Sequence, residues 1–155
     1  MLNEINMMRA LNHENIVKLY EIHETENTIY LVMELIKGRT LDETLRRQAE
    51  RKRSFSETRI REMMQTILST LAYIASQGII HRDLKPANIL LDNGKIKIAD
   101  FGLASQIKSM NPIYKKCGTP GYMAPEILSY DEKSRFLTYD DKCDIFSVGC
   151  IFYYM

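Results

Sequence analysis

Apolar positions recur at helical intervals near both ends of the chain and gather in short dense runs between them. Leu2, Ile5, Met8 and Leu11 stand three apart, which predicts a short helix with one apolar stripe. "NIVKLYEI" and "TIYLVMELI" are β-branched and aromatic runs separated by the polar "HETENT", the pattern of a hairpin. Gly38 punctuates, and "TLDETLRRQAERKR" (40–53) reads as a polar helix ending in a basic cluster. In "SFSE", Ser54 and Glu57 have the spacing of a capping box. Ile60, Met63, Met64, Ile67, Leu68, Leu71 and Ala75 then repeat at threes and fours up to Gly78, predicting a long amphipathic helix.

"GIIHRDLKPANILLDNGKIKIADFG" reads as loop, short strand, turn at Asp92-Asn93-Gly94 and short strand. Residues 103–123, with Pro112, Gly118, Pro120 and Gly121, read as an extended loop. A short helix around Pro125 to Tyr130 and a buried helix from near Asp141 to the last residue complete the pattern. Helices and strands are segregated rather than alternating, which predicts an α+β fold and not a wound parallel sheet.

The chain has 155 residues, enough for one ordinary domain. With 26% charged and 45% apolar residues its composition is globular. A net charge of +1 supplies no field favouring nucleic acid or an anionic membrane. The longest apolar run, "IFSVGCIFYYM", is shorter than a bilayer span. Cys117, Cys143 and Cys150 show no C-x-x-C spacing, so reduced thiols and a cytoplasmic or nuclear setting are expected. The methionines at 7, 8, 63 and 64 read as core filler, and the basic run 46–53 as a solvated helix face.

The chemistry concentrates in "HRDLKPANIL" and in "ADFGLA" just beyond it. Transfer of a phosphoryl group needs a base near the acceptor hydroxyl and cations on the phosphates. Asp83 can take the proton or orient the hydroxyl, and Lys85 brings a positive charge. Asn88 and Asp100 offer the hard oxygens that Mg²⁺ prefers. A tight hairpin between them brings them together although they stand twelve positions apart.

His81-Arg82-Asp83-Leu84-Lys85-Pro86-Ala87-Asn88, Asp100-Phe101-Gly102 and Ala124-Pro125-Glu126 occur in this order, and the chain resembles the eukaryotic protein kinase family. "GTPGYMAPE" and "DIFSVGCIF" extend the resemblance to the C-terminus. It implies a two-lobed kinase fold truncated at both ends. Residues 1–36 are the remnant of the small lobe, and 37–155 the hinge and large lobe. It implies ATP and Mg²⁺ as cofactors and a protein serine or threonine hydroxyl as acceptor, the branch being marked by Lys85 and Thr119. Arg82 belongs to the catalytic set with Asp83 and Lys85. Met33 becomes the gatekeeper, and Glu34, Ile36, Leu90 and Asp100 border the nucleotide. Met8, Leu19, His81, Phe101 and Asp144 match the column of side chains that assembles in active members, His81 being structural rather than a base. Glu4, nine residues before His13, is similar to the family's glutamate that pairs with an ATP-binding lysine.

The sequence departs from the family in several places. None of its seven glycines forms G-x-G-x-x-G, and its first lysine is Lys18, downstream of Glu4. A two-stranded hairpin is a weak cover for a nucleotide, so very weak or no transfer is expected of these 155 residues. The alternative is a kinase-like scaffold that binds a partner without catalysis. Lys115 stands where the family's activating phosphothreonine is usual, two before Cys117. Ser109 and Tyr114 are the substitutes for it. Ala87 and Thr40 occupy positions where arginine-directed members keep glutamate, so the resemblance implies no such preference here.

Overall fold

The computed structural model describes residues 2–107, 116–129 and 139–155. Ser109, Pro112, Tyr114, Lys115 and Tyr130 lie outside the described residues, as does the side chain of Leu2. Helix α1 (Leu2–Ala10) buries Ile5, Met7 and Met8. Strands β1 (Leu19–Glu24) and β2 (Ile29–Met33) form the expected hairpin. The register slips between Leu19 and Glu21, so Tyr20 is the extra residue of a β-bulge.

After β3 (Arg39–Thr40) comes α2 (Leu41–Glu50), started by a capping box the sequence reading did not single out. Thr40 Oγ1 accepts from Glu43 N and Glu43 Oε2 accepts from Thr40 N. Helix α3 (Glu57–Ser76) begins two residues later than a cap at Ser54 would place it. Ser56 is the N-cap, accepting from Arg59 N at 3.2 Å. Phe55 packs against the core just before the cap, at the position where an apolar residue staples the incoming chain. That anchor moves the cap from Ser54 to Ser56. The stripe of α3 centres on Met63, Ile67, Leu71 and Ile74; Leu68 is exposed.

Strand β4 (Ile79–Ile80) pairs with β7 (Ser105–Gln106), and β5 (Ile89–Asp92) pairs antiparallel with β6 (Lys95–Ile98). The β5–β6 turn has positive φ at both Asn93 and Gly94, the backbone of the tightest hairpin turns. Strand β3 completes a three-stranded sheet on β5. At Gly38 a Cβ would stand 1.7 Å from Leu91 O, so only glycine lets the chain enter β3. Helix α4 (Pro125–Leu128) is one turn, and α5 (Lys142–Tyr154) follows. Helix α5, expected to be buried, is buried on one face only. Its buried face is Cys143, Asp144, Ser147, Val148 and Ile151, while Ile145, Phe146, Phe152, Tyr153 and Tyr154 are exposed.

One cluster of buried side chains includes Met7 and Met8 from α1, Leu11 just after it, Met63 and Ile67 from α3, Ile89 and Ile98 from the sheet, and Phe101. Each fully buried side chain of this size contributes roughly 1.5–3 kcal/mol. Backbone bonds from Val17 N to Ile98 O and Ile98 N to Asn15 O tie the segment after α1 to β6. The core thereby fixes β6, and β6 leads directly into Asp100. Among the described residues no helix is long and apolar enough to cross a membrane.

Candidate active site

The loop 81–88 joins β4 to β5 and is held from below by α5. Asp144 is buried, and its two carboxylate oxygens accept from His81 N at 2.7 Å and Arg82 N at 2.8 Å. Burial pushes its carboxyl up, opposed by His81 and by these two backbone donors. Arg82 adopts φ +67°, a conformation that costs a non-glycine residue about 1–3 kcal/mol and persists where its surroundings enforce it.

His81 is fully buried, with its ring centroid 4.8 Å from that of Phe101. Asp83 N can only donate, so at 3.3 Å it makes His81 Nδ1 an acceptor. The ring proton then sits on Nε2 and is donated to Ala99 O at 3.1 Å. A histidine occupied on both nitrogens is a strut between the two motifs rather than a base. Met8 is buried in the cluster that holds Phe101, and Leu19 packs against it. Of the five-residue column implied by the resemblance, His81 meets Phe101 ring to ring and Asp144 through its backbone N–H, while Met8 and Leu19 belong to the apolar cluster around Phe101.

Arg82 stitches the same seam through its side chain. Its Nε donates to Leu103 O at 2.6 Å, and its Nη1 to Tyr139 Oη at 3.1 Å. Burial pushes the Tyr139 hydroxyl up to about 12, although Arg82 pulls the other way. The same cause raises the Cys117 thiol, which keeps it a protonated, weak nucleophile.

Asp83 is the hub of the cleft. Lys85 Nζ lies 2.7 Å from Asp83 Oδ2 and donates to Thr119 Oγ1 at 2.9 Å; Thr119 Oγ1 in turn donates to Asp83 Oδ1 at 2.6 Å. The ring locks both side chains and ties the segment carrying Thr119 to the loop. Asn88 Nδ2 donates to Asp83 O at 2.9 Å, which leaves the amide oxygen for a cation. Ala99 N donates to Asn88 O at 3.0 Å, so Asp100 follows at the neighbouring position. Asp100 also has positive φ, +66°, and its Oδ1 accepts from Gly102 N. A Cβ on Gly102 would stand 4.0 Å from Glu4 Oε2, so α1 presents its carboxylate to this same corner. Direct bonds thus join Asp83, Lys85 and Asn88, while Asp100 stands one residue beyond Ala99, which bonds to Asn88, with Glu4 near Gly102.

The residues at the connector are placed through β6. Met33 ends β2 and is partly exposed, and Ile36 is half-buried. Leu90 is half-buried on β5, in register with Lys97. Glu34 anchors the connector. Its carboxylate pairs with Lys97 Nζ at 2.7 Å and accepts from Lys18 N at 3.2 Å, while Glu34 N donates to Lys18 O. Burial alone would push the Glu34 carboxyl up; the Lys97 and Lys18 contacts outweigh it and hold it below its ordinary value. A cavity of about 750 Å³ lined by Lys18, Glu34, Arg59 and Lys97 lies at this connector, and Asp83, Asn88 and Asp100 are not among its walls. The sequence had marked Thr119 and Asp144 but not their bonds to the loop. Tyr139 and Lys97 carried no local signal, because each acts on a residue more than fifty positions away.

A protein-family model described as "Protein kinase domain" matches residues 1–155. The chain is 41% identical over 160 residues to human serine/threonine-protein kinase ULK1, covering 97% of the chain and 14% of that protein. It is 44% identical over 154 residues to calcium-dependent protein kinase 5 of Plasmodium berghei, covering 97% of the chain and 25% of that protein. With serine/threonine-protein kinase cds1 of Schizosaccharomyces pombe the identity is 38% over 154 residues, covering 98% and 33%. The chain thus spans a third or less of the length of these relatives.

Proposed function

The chain belongs to the protein kinase family, and from that premise we propose that its cleft transfers the terminal phosphate of ATP to a serine or threonine hydroxyl of a protein. The observation that carries the reading is the closed ring of Asp83, Lys85 and Thr119 beside Asn88 and Asp100. Such a transfer is mostly positioning and charge neutralisation. Asp83, fixed by two short bonds, orients the acceptor hydroxyl and takes its proton. Lys85 holds a positive charge beside the transferred group. Asn88 and Asp100 are the oxygen donors that would hold Mg²⁺, a donor set suited to a hard cation. When bound, the metal neutralises the phosphate charge. Arg82 acts through position, by keeping loop and cleft in register. Met33, Glu34, Ile36 and Leu90 border the base, with Glu34 held by Lys97.

All three cysteines are free thiols, which supports a cytoplasmic or nuclear setting. The reading is tested by single-turnover transfer from γ-labelled ATP and Mg²⁺ to a serine peptide at high protein concentration. The expected result is slow transfer, since no lysine of this chain pairs with Glu4 among the described residues, and its disappearance in Asp83→Ala. Transfer at the same rate in Asp83→Ala, or a failure to bind Mg²⁺-ATP at any concentration, would overturn it.

A further inference from the structure

The charge of the chain is unevenly placed. From Lys37 to Arg53 stand seven basic and three acidic side chains, a balance of +4 within a chain whose net charge is +1, so the remaining residues sum to −3. All seven basic residues are exposed. Arg39, Glu43, Arg46 and Arg47 line a shallow hollow of about 380 Å³ on the solvent face of α2, to which the catalytic loop, Tyr122 and α5 contribute nothing.

The acids nearby are largely committed. Asp42 pairs with Arg46 at 3.1 Å, and Glu43 Oε2 accepts from Thr40 N in the cap of α2. Met155, with the chain's terminal carboxylate, lines a neighbouring groove together with Arg46 and Arg53, so those two cations are set aside. Lys37, Arg39, Arg47, Arg51 and Lys52 remain, and none enters an ion pair among the described residues. Against them stand only Glu43 and Glu50.

Folding accounts for one end of this strip and opposes the other. The C-terminal carbonyls of a helix attract cations, which suits Arg51 and Lys52. Yet Arg47 and Arg51 are four apart on one helix face, where like charges repel. Lys52 sits at φ +51°, with its N–H on Ala49 O and that of Arg53 on Gln48 O, a helix ending that usually takes glycine. Lys37 and Arg39 precede the N-terminus of α2, where the same dipole disfavours a cation. The strip runs the length of α2, about 15 Å, which an extended segment of about six residues spans.

We propose that the solvent face of α2 docks an acidic segment of a partner protein, with Arg39 and Arg47 as the central contacts. Guanidinium forks match carboxylates in two-pronged pairs. A membrane or a long nucleic acid would also overlie the rest of the chain, whose charge is negative, whereas a short acidic segment meets the strip alone within the screening length of about 10 Å. This docking does not depend on the phosphotransfer reading.

The test titrates the full chain against a fluorescein-labelled glutamate-rich peptide lacking serine, threonine and tyrosine, its glutamine counterpart, single-stranded DNA of the same length, and phosphatidylserine vesicles. Anisotropy follows the peptides and the DNA, and sedimentation the vesicles. The glutamate peptide should bind about tenfold or more tighter than the glutamine one, and less tightly as salt rises. Arg39→Glu combined with Arg47→Glu should abolish the difference, and the corresponding Gln pair should reduce it. Arg9→Glu combined with Lys95→Glu makes the same change of charge at exposed positions elsewhere and should keep most of the difference. Circular dichroism checks folding, and the Gln pair decides if the Glu pair fails to fold. Equal binding of the two peptides, indifference to the changes at Arg39 and Arg47, or an equal loss in the Arg9 and Lys95 pair would overturn the proposal. So would tighter binding of the DNA or the vesicles than of the glutamate peptide.

Discussion

Replacing Asp144 tests how the catalytic loop is held. In Asp144→Ala the N–H groups of His81 and Arg82 lose their acceptors inside a buried site. Each unsatisfied buried donor costs about 1–3 kcal/mol. Arg82 also loses part of what holds it at φ +67°, so the total is about 3–5 kcal/mol. Asp144→Asn keeps the shape and one acceptor oxygen, but turns an NH₂ toward the other donor. Its cost is that of one lost bond with a charged partner, about 1.5–3 kcal/mol. Both are read by urea unfolding followed by circular dichroism, with the slope compared to detect changes in the surface exposed. The expected order is wild type, then Asn, then Ala, with Ala losing a large part of a domain's usual stability margin. A loss below about 1 kcal/mol in Asp144→Ala, or equal losses in the two variants, would refute the idea that these two bonds set the loop.

Three further outcomes follow from the same geometry. The folded-state pKa of Glu34 lies below its ordinary value, so its contribution is fully present above the unfolded-state pKa and is lost as pH falls through the folded one. Lys97→Met should remove roughly 1–3 kcal/mol at neutral pH and flatten this acid dependence; an unchanged pH–stability curve would contradict the pairing. Gly38→Ala must push β3 from β5, since the new Cβ would stand 1.7 Å from Leu91 O; differential scanning calorimetry should show a loss of about 1–3 kcal/mol or more, and an unchanged melting temperature would exclude the close approach. Thr119→Ala breaks the ring around Asp83 and should slow single-turnover transfer about tenfold or more, while Thr119→Ser restores it; equal rates would show that the hydroxyl is dispensable.

What could be read in the sequence was local or carried by motif spacing. The stripe of α3 and the turn at Asn93-Gly94 depend on neighbours within a few residues; the turn formed where expected, and so did the stripe's Met63, Ile67 and Leu71, though not Leu68. Two-residue strands such as β3, β4 and β7 leave no period to read, because they exist through pairing with distant segments. The cap at Ser56 was displaced from Ser54 by the packing of Phe55, a tertiary effect acting on a local signal. Helix α5 reads as apolar on every side, so its sequence could not show which face would be buried. In the cleft, Asp83, Lys85, Asn88 and Asp100 stood out by type and spacing. The groups that hold them, Asp144 and Thr119, contact the loop across 62 and 36 positions, and sequence alone gives no geometry at that range.

The central claim is that Asp83, Asn88 and Asp100 face one shared cation-binding corner. Manganese, titrated with ATP into isotopically labelled protein, reports it directly by paramagnetic broadening of amide signals. The account predicts that the signals of Asp83, Asn88, Asp100 and Gly102 broaden together at substoichiometric metal, and that Asp100→Asn removes the effect. Broadening scattered over the surface, or confined to one of the three positions, would contradict it.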